Sequence, residues 1–379
     1  MSEYSAKIAQ RPTPNAQRPT PNAQRPTPNA QRPTPNAQRL DSCPNPDDTI
    51  HVALAVYDPS GTYSQHAGVV MTSIFENTHS KVTVHILHDD TLTQDNRQKF
   101  IRTAEKYSQS VEFHDVTGYR EHFDKGVADF ANSKSYTIGA LFRFAIQDII
   151  PLDKVIYLDC DVIVNMDVSE LWHVSLDGKY LAGVLDDGMY TQSSFSYEGI
   201  RCKLNGCRAS EYINSGILVM NLAAIRGLGD FFTMAAQWLK SHMYSAIYQD
   251  QDAYNSLFSG AIKILSSKYN RHKDFHGQDL SGMIIHNIWT KPWKMLSGDD
   301  NCVLYWDMFT RSAWGENITH GQMIRTLAGI ADSSPKLHKS PRQCLKTAAK
   351  VIIRKLTFPN LRRTAAMLFR HILAKITRR

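Results

Sequence analysis

Asp159 and Asp161 interrupt an otherwise apolar run, Val155-Ile156-Tyr157-Leu158-Asp159-Cys160-Asp161-Val162-Ile163-Val164. Read as one buried strand, the run alternates faces, so the two carboxylates point the same way and Cys160 points to the other side. Burying them without partners would be costly. Carboxylate oxygens converging on one spot suit a hard divalent cation, of the kind shared with the phosphates of a nucleotide substrate. That chemistry belongs to a metal-dependent, nucleotide-using enzyme. The competing reading is two acids at a strand end that face solvent or pair with Lys or Arg, since so short a motif also occurs by chance.

The elements that must position this pair alternate. Residues 50–56 read as a buried strand, 81–87 as a second, 94–107 as a helix and 111–116 as a third strand. Residues 136–149 are apolar at helical spacing and end before Pro151, residues 181–185 are strand-like, and 283–285 form a short apolar strand. Alternating strands and helices predict an α/β, Rossmann-like, mostly parallel sheet with ligands at the carboxyl ends of the strands. Asp58 and the Asp159/Asp161 pair lie at such ends. The chain has neither Gly-x-Gly-x-x-Gly nor Gly-x-x-x-x-Gly-Lys-Ser/Thr, which argues against a dinucleotide dehydrogenase or a P-loop enzyme.

The chain has 379 residues, is 42% apolar and carries a net charge of +7 that is unevenly placed. Thirteen of its 43 basic residues, and no acid, lie between Lys336 and Arg379, while residues 1–40 hold six basic residues and Glu3. Positions 41–335 keep 24 basic against 35 acidic residues, a net −11. A basic tail on an acidic body points to a polyanionic surface met by the tail and away from nucleic acid. Gln10 to Ala37 is four copies of Gln-Arg-Pro-Thr-Pro-Asn-Ala. With two prolines and no large apolar residue per copy, it is expected to be a disordered, extended segment. Six cysteines without a regular framework suit a reducing compartment, with Cys202 and Cys207 as free thiols. The first 49 residues hold no signal-like apolar stretch, and no stretch reaches the roughly 18 apolar residues of a membrane span. The expected organisation is a repeat extension over 1–48, a catalytic domain over 49–332 and a basic amphipathic tail over 333–379.

Five blocks occur in order: Val-Ala-Leu-Ala-Val-Tyr-Asp (52–58), Leu-Phe-Arg-Phe (141–144), Tyr-Leu-Asp-Cys-Asp-Val-Ile-Val (157–164), Tyr-Ile-Asn-Ser-Gly-Ile-Leu-Val-Met-Asn-Leu (212–222) with Asp-Gln-Asp-Ala-Tyr-Asn (250–255) downstream, and His286 with Lys291-Pro292-Trp293. Together they resemble glycosyltransferase family 8, the retaining nucleotide-sugar transferases that include bacterial lipopolysaccharide galactosyl- and glucosyltransferases. The resemblance runs from about Ile50 to Trp293 and implies a GT-A type fold.

The resemblance further implies that Asp159, Asp161 and His286 hold manganese, or alternatively magnesium, on the diphosphate of a UDP-hexose. Cys160, inside the tripeptide, counts with the donor-contacting positions. Lys291 matches a lysine that contacts the diphosphate, although family members usually carry a glycine and one more residue between it and the histidine. Tyr57 and Asp58 are expected at the uridine, Tyr63 as a ring against the base, Arg143 near the diphosphate and donor sugar, and Asn214, Gly216 and Asp186 along the sugar. On a helix face otherwise made of Leu141, Phe142, Phe144 and Ile146, the charge of Arg143 needs a partner. Asp250 would bind sugar hydroxyls, and Gln251 would stabilise positive charge near the anomeric carbon by its amide dipole. As residues of a helix start, Asp250 to Asp252 would also supply an N-cap.

After Asp332, Leu361, Ala365, Leu368, Phe369, Ile372 and Ile376 recur at helical spacing among basic residues, a pattern expected to lie on an anionic membrane surface. The reading is a cytoplasmic enzyme, peripheral on the inner face of the cell membrane, that moves a hexose to a glycan or lipid-linked oligosaccharide acceptor. A nucleotidyltransferase, or an inactive membrane-associated scaffold of the same fold, remains open at this point.

Overall fold

The computed structural model describes residues 49–122, 137–190, 196–289, 291–296 and 299–333. The chain divides into Met1–Leu40 and Asp41–Arg379, and only the second unit contains described residues. The repeat segment, and the amphipathic tail beyond Ser333, lie outside them.

Strands β1 (Ile50–Val56), β2 (Val82–His88), β3 (Ser110–Asp115), β4 (Lys154–Leu158), β6 (Leu181–Leu185), β7 (Ile213–Asn221) and β8 (Ile262–Leu265) form one seven-stranded sheet. Its order is β3-β2-β1-β4-β7-β6-β8. The β1, β2, β3 and β4 neighbours pair in parallel, β7 runs antiparallel between β4 and β6, and β8 is again parallel to β6. One reversed strand in seven makes the sheet mostly parallel, as the alternation of elements requires. Its central strands are covered on both faces, hence their continuous apolar sequences. Ile50, Val52, Leu54 and Val56 pack under the helix Ser64–Asn77, whereas Ala53, Ala55 and Tyr157 face a layer that includes Phe144, Phe231 and Tyr254. Fully burying each large apolar side chain contributes about 1.5–3 kcal/mol.

Two local expectations are corrected. The Asp-Cys-Asp run is not one strand. Its first half ends at Leu158 in the large sheet, and its second half, β5 (Val162–Asn165), pairs with β9 (Met283–His286) in a separate two-stranded antiparallel ribbon. Asp159 keeps one last bond, its N–H donating to Gly216 O at 2.8 Å, and the chain then turns out of the sheet. The break falls where it must: Ile163 packs against Trp306 and Phe309 of the helix Asp300–Arg311, and the carboxylates require polar neighbours that a sheet interior lacks. Cys160 still points away from them, its Sγ lying 3.2 Å from Ala55 O.

Residues 136–149 do not form one α-helix. Ile138–Ala145 is a 3-10 helix, followed by a single α turn at Ile146–Ile149. Gly139 sits so close to β1 that a Cβ there would lie 2.5 Å from Tyr57 Cβ, and Arg143 Nε donates back three residues to Ala140 O at 2.9 Å. Such tight winding turns the Arg143 side chain into the protein.

Candidate functional site

Three elements meet at the carboxyl end of β4. Antiparallel pairing sets His286 opposite Val162, and so beside Asp161, while the turn carries Asp159 toward β7. Asp159, Asp161 and His286 each offer an atom within 4.8 Å of the others. His286 Nε2 lies 3.1 Å from Asp161 Oδ1 and 3.8 Å from Asp159 Oδ2. Among the described residues, Asp161 Oδ1 is buried and accepts no hydrogen bond. Space for an occupant is kept by Gly216, where a Cβ would fall 2.3 Å from His286 Cε1 and 2.7 Å from Asp159 Oδ2. Two carboxylates and an imidazole nitrogen around a gap with an orphaned oxygen fit a divalent cation such as manganese.

Lys291 Nζ pairs with Asp161 Oδ2, so the shorter loop still delivers this cation to the site. Burial would raise the Asp161 carboxyl, but His286 and Lys291 outweigh it and hold the group well below the usual carboxylate range.

A row of side-chain amides runs from this cluster. His286 Nδ1 lies 3.0 Å from Asn270 Oδ1, Asn270 Nδ2 donates to Asn214 Oδ1 at 2.9 Å, Asn214 Nδ2 donates to Gln251 Oε1 at 3.1 Å, and Gln251 Nε2 donates to Asp186 Oδ2 at 3.1 Å. Backbone donors pin the direction: Ser215 N–H gives to Gln251 Oε1 at 3.1 Å and Gly216 N–H to Asn214 Oδ1 at 3.0 Å. Asp186 can only accept when ionised, so each amide has one allowed orientation.

The charge of Arg143 finds its partners in two carboxylates. Only 4% exposed, Arg143 holds Asp159 Oδ1 through Nη2 at 2.8 Å and Asp250 Oδ2 through Nη1 at 2.9 Å. Its guanidinium also lies 4.4 Å from the Tyr157 ring centroid, and Tyr157 OH donates to Asp159 Oδ1 at 2.9 Å. These contacts occupy Asp159 Oδ1 and leave Oδ2 toward His286. Burial raises the Asp250 carboxyl above its ordinary value although Arg143 opposes the shift; Ser215 Oγ donates to it at 2.8 Å. Asp250 is not an N-cap. The helix is Gln249–Leu257, and Asp252 closes its first turn by accepting Ile247 N–H at 2.8 Å and Tyr248 N–H at 2.9 Å.

At the end of β1, Asp58 is turned inward. Its carboxylate accepts from Tyr63 N–H at 2.7 Å, Ser64 N–H at 2.9 Å, Ser64 Oγ at 2.6 Å and Asn96 Nδ2 at 3.2 Å. Asp58 therefore fixes the turn that opens the helix Ser64–Asn77. Tyr57 remains partly exposed beside it, and Tyr63 is 36% exposed with its ring 5.5 Å from that of His66. His66 in turn stacks on Trp293 at 3.7 Å, two residues from Lys291. The described cysteines 160, 202, 207 and 302 are buried.

Sequence reasoning missed Asn270, Ser215, Tyr157 and His66 as members of this neighbourhood. Ser215 and Tyr157 sat inside recognised blocks. Asn270 had no signal at all: it lies in an aperiodic polar segment and reaches His286 only because Arg271 bridges Ile285 beside β9.

The family model described as Glycosyl transferase family 8 matches residues 55–296. A putative glycosyltransferase of Haemophilus influenzae is 27% identical over 216 residues, covering 57% of this chain and 62% of that protein. General stress protein A of Bacillus subtilis is 25% identical over 231 residues, 59% of this chain and 74% of the other. A lipopolysaccharide 1,2-glucosyltransferase of Escherichia coli is 28% identical over 232 residues, 60% and 63%. The chain thus spans a little under two thirds of the first and third of these relatives. A crystal structure of the galactosyltransferase LgtC in complex with donor and acceptor sugar analogues is similar in fold, with a TM-score of 0.58 and 21% identity over 69% of this chain and 96% of that one.

Proposed function

Because the chain belongs to glycosyl transferase family 8, we propose that it is a retaining hexosyltransferase that moves glucose or galactose from a UDP-sugar to a lipooligosaccharide, lipopolysaccharide or related glycan. The observation that carries the reading is the Asp159, Asp161 and His286 cluster, its gap kept by Gly216 and its amide row leading to Gln251. Held by those three side chains, manganese would neutralise the negative charge that builds on the diphosphate as it leaves. Lys291 adds a second positive charge beside Asp161. Arg143 keeps Asp159 and Asp250 in place, so the ligands and the sugar-binding carboxylate share one rigid support. Gln251, its amide fixed by Asn214, Ser215 and Asp186, presents a preorganised dipole to the charge that develops as the anomeric carbon parts from the diphosphate. Retention follows when the bond from that carbon to the diphosphate breaks, the acceptor oxygen bonds to the carbon on the same face, and the acceptor's proton passes to the departing diphosphate oxygen.

The acceptor is lipid-linked in this reading, and the enzyme works on the inner face of the cell membrane in the cytoplasm. Support comes from the basic, amphipathic sequence of 336–379. Among the described residues, no helix is long and apolar enough to cross a membrane.

The test is to incubate the full chain with manganese and a panel of UDP-sugars and to follow UDP release and transfer. Manganese-dependent release with one UDP-hexose is expected, abolished in Asp161→Asn, which keeps the side-chain shape and loses an anionic ligand. Near-parent turnover of a folded Asp161→Asn at saturating manganese overturns the assignment.

A further inference from the structure

A second set of metal-type ligands sits on the same sheet, on strands β2 and β3. Parallel pairing places His85 of β2 level with Glu112 of β3, with His114 two residues further along the same face. His85 Nδ1 lies 2.9 Å from His114 Nε2 and 3.4 Å from Glu112 Oε2, and His114 Nε2 lies 3.8 Å from that oxygen. Ligand atoms about 2.0–2.1 Å from a tetrahedral zinc are separated by about 3.3–3.4 Å, and these three spacings bracket that value. We propose that His85, Glu112 and His114 form a second cation site, selective for a zinc-like divalent ion.

Each residue contributes to that choice. The active-site cluster is rich in carboxylate, whereas this triad has two imidazoles and one carboxylate, the softer set that zinc favours over manganese. Burial depresses both ligand rings, His85 to about 3, so they present lone pairs and not positive charge at neutral pH. His51 supplies the orienting partner: its Nδ1 lies 3.0 Å from His85 Nε2. When His85 Nε2–H donates there, Nδ1 is left as a lone pair toward Glu112 and His114, the arrangement that fixes a metal-binding imidazole. With the His114 proton on Nδ1, three lone pairs converge on one point. Without an ion, that proton sits on Nε2 and bridges the two rings. The Glu112 side chain is 57% exposed, so an ion enters from solvent and takes a water as its fourth ligand. Filled, the site ties the edge strand β3 to β2 through side chains as well as backbone.

Cobalt tests this in the full chain, because a tetrahedral cobalt centre absorbs visibly and zinc displaces it. The parent is expected to bind two cations per chain, and Asp161→Asn one, with the tetrahedral band retained and lost on adding zinc. His114→Gln in the Asp161→Asn background loses the band, Glu112→Gln at its exposed position weakens it, and His51→Leu lowers affinity roughly 10–100-fold. Absence of a tetrahedral band in Asp161→Asn, or zinc affinity unchanged by both His114→Gln and Glu112→Gln, overturns the site. If the active-site reading fails instead, the parent binds a single ion that His114→Gln removes, so the two failures are distinguishable.

Discussion

Asn270 turns its carbonyl oxygen, not its amide nitrogen, to His286 Nδ1 across 3.0 Å, because its nitrogen is committed to Asn214 Oδ1. The ring therefore carries a proton on Nδ1, and in the neutral form its Nε2 lone pair faces Asp159 and Asp161. Asn270→Leu removes the acceptor and frees the ring to protonate Nε2. Manganese affinity is expected to fall roughly 10–100-fold by calorimetry, while Asn270→Asp, still an acceptor for Nδ1–H, stays near the parent. Equal affinity in Asn270→Leu and the parent would refute the positioning role.

Gly216→Ala tests the gap itself. The new methyl would overlap His286 and crowd Asp159, so manganese-dependent UDP release should drop by at least about 100-fold. Overpacking costs about 1–3 kcal/mol, which a folded protein of this size survives; circular dichroism separates the two effects.

Gln251→Ala should lower kcat more than it raises the donor KM, the pattern of a contact made mainly in the transition state. It also leaves the buried Ser215 N–H and the Asn214 amide without their acceptor, for an expected stability loss of about 1–3 kcal/mol by urea unfolding. A pure KM effect would refute the dipole role.

Two buried imidazoles set an acid limit on the fold. Burial lowers His66 and His85 each to about 3. Between that value and about 6.5 the unfolded chain binds more protons than the native one, so stability rises with pH there and is lost as the pH falls below 6.5. The limiting slope is about 1.4 kcal/mol per pH unit for each ring. Unfolding free energies from urea titrations in chelator at pH 7 and pH 5 should differ by roughly 2–4 kcal/mol, and His85→Gln, which cannot titrate, should show a shallower dependence. A pH-independent midpoint would count against both buried neutral rings.

Local pattern revealed what is local. The apolar runs of β1, β2 and β6 announced strands, and their alternation with helices announced a mostly parallel sheet, because burial on both faces leaves a direct mark on sequence. Asp159, Asp161 and His286 could be named as ligands only together with the family blocks. The turn between β4 and β5 could not be read at all, since nothing between Val155 and Val164 shows that its halves pair with β7 and β9, which lie far along the chain. The same holds for the two carboxylates that meet Arg143, which is 16 residues before one and 107 before the other. Asn270 is the extreme case, a polar residue in an aperiodic stretch whose role depends wholly on the partner brought over it.

The step of the chain from the large sheet into the β5/β9 ribbon has a mechanical consequence. Asp159 belongs to the first body, and Asp161 and His286 to the second, so an ion gripped by all three acts as a clasp across a seam in the fold. Occupancy and integrity are then one equilibrium: a bound cation adds RT ln(1 + [M]/Kd) to the closed form, and withdrawing it frees the ribbon to fray first. Backbone amides of Val162 to Asn165 would exchange with solvent sooner than those of Val155 to Leu158, although only three residues separate them.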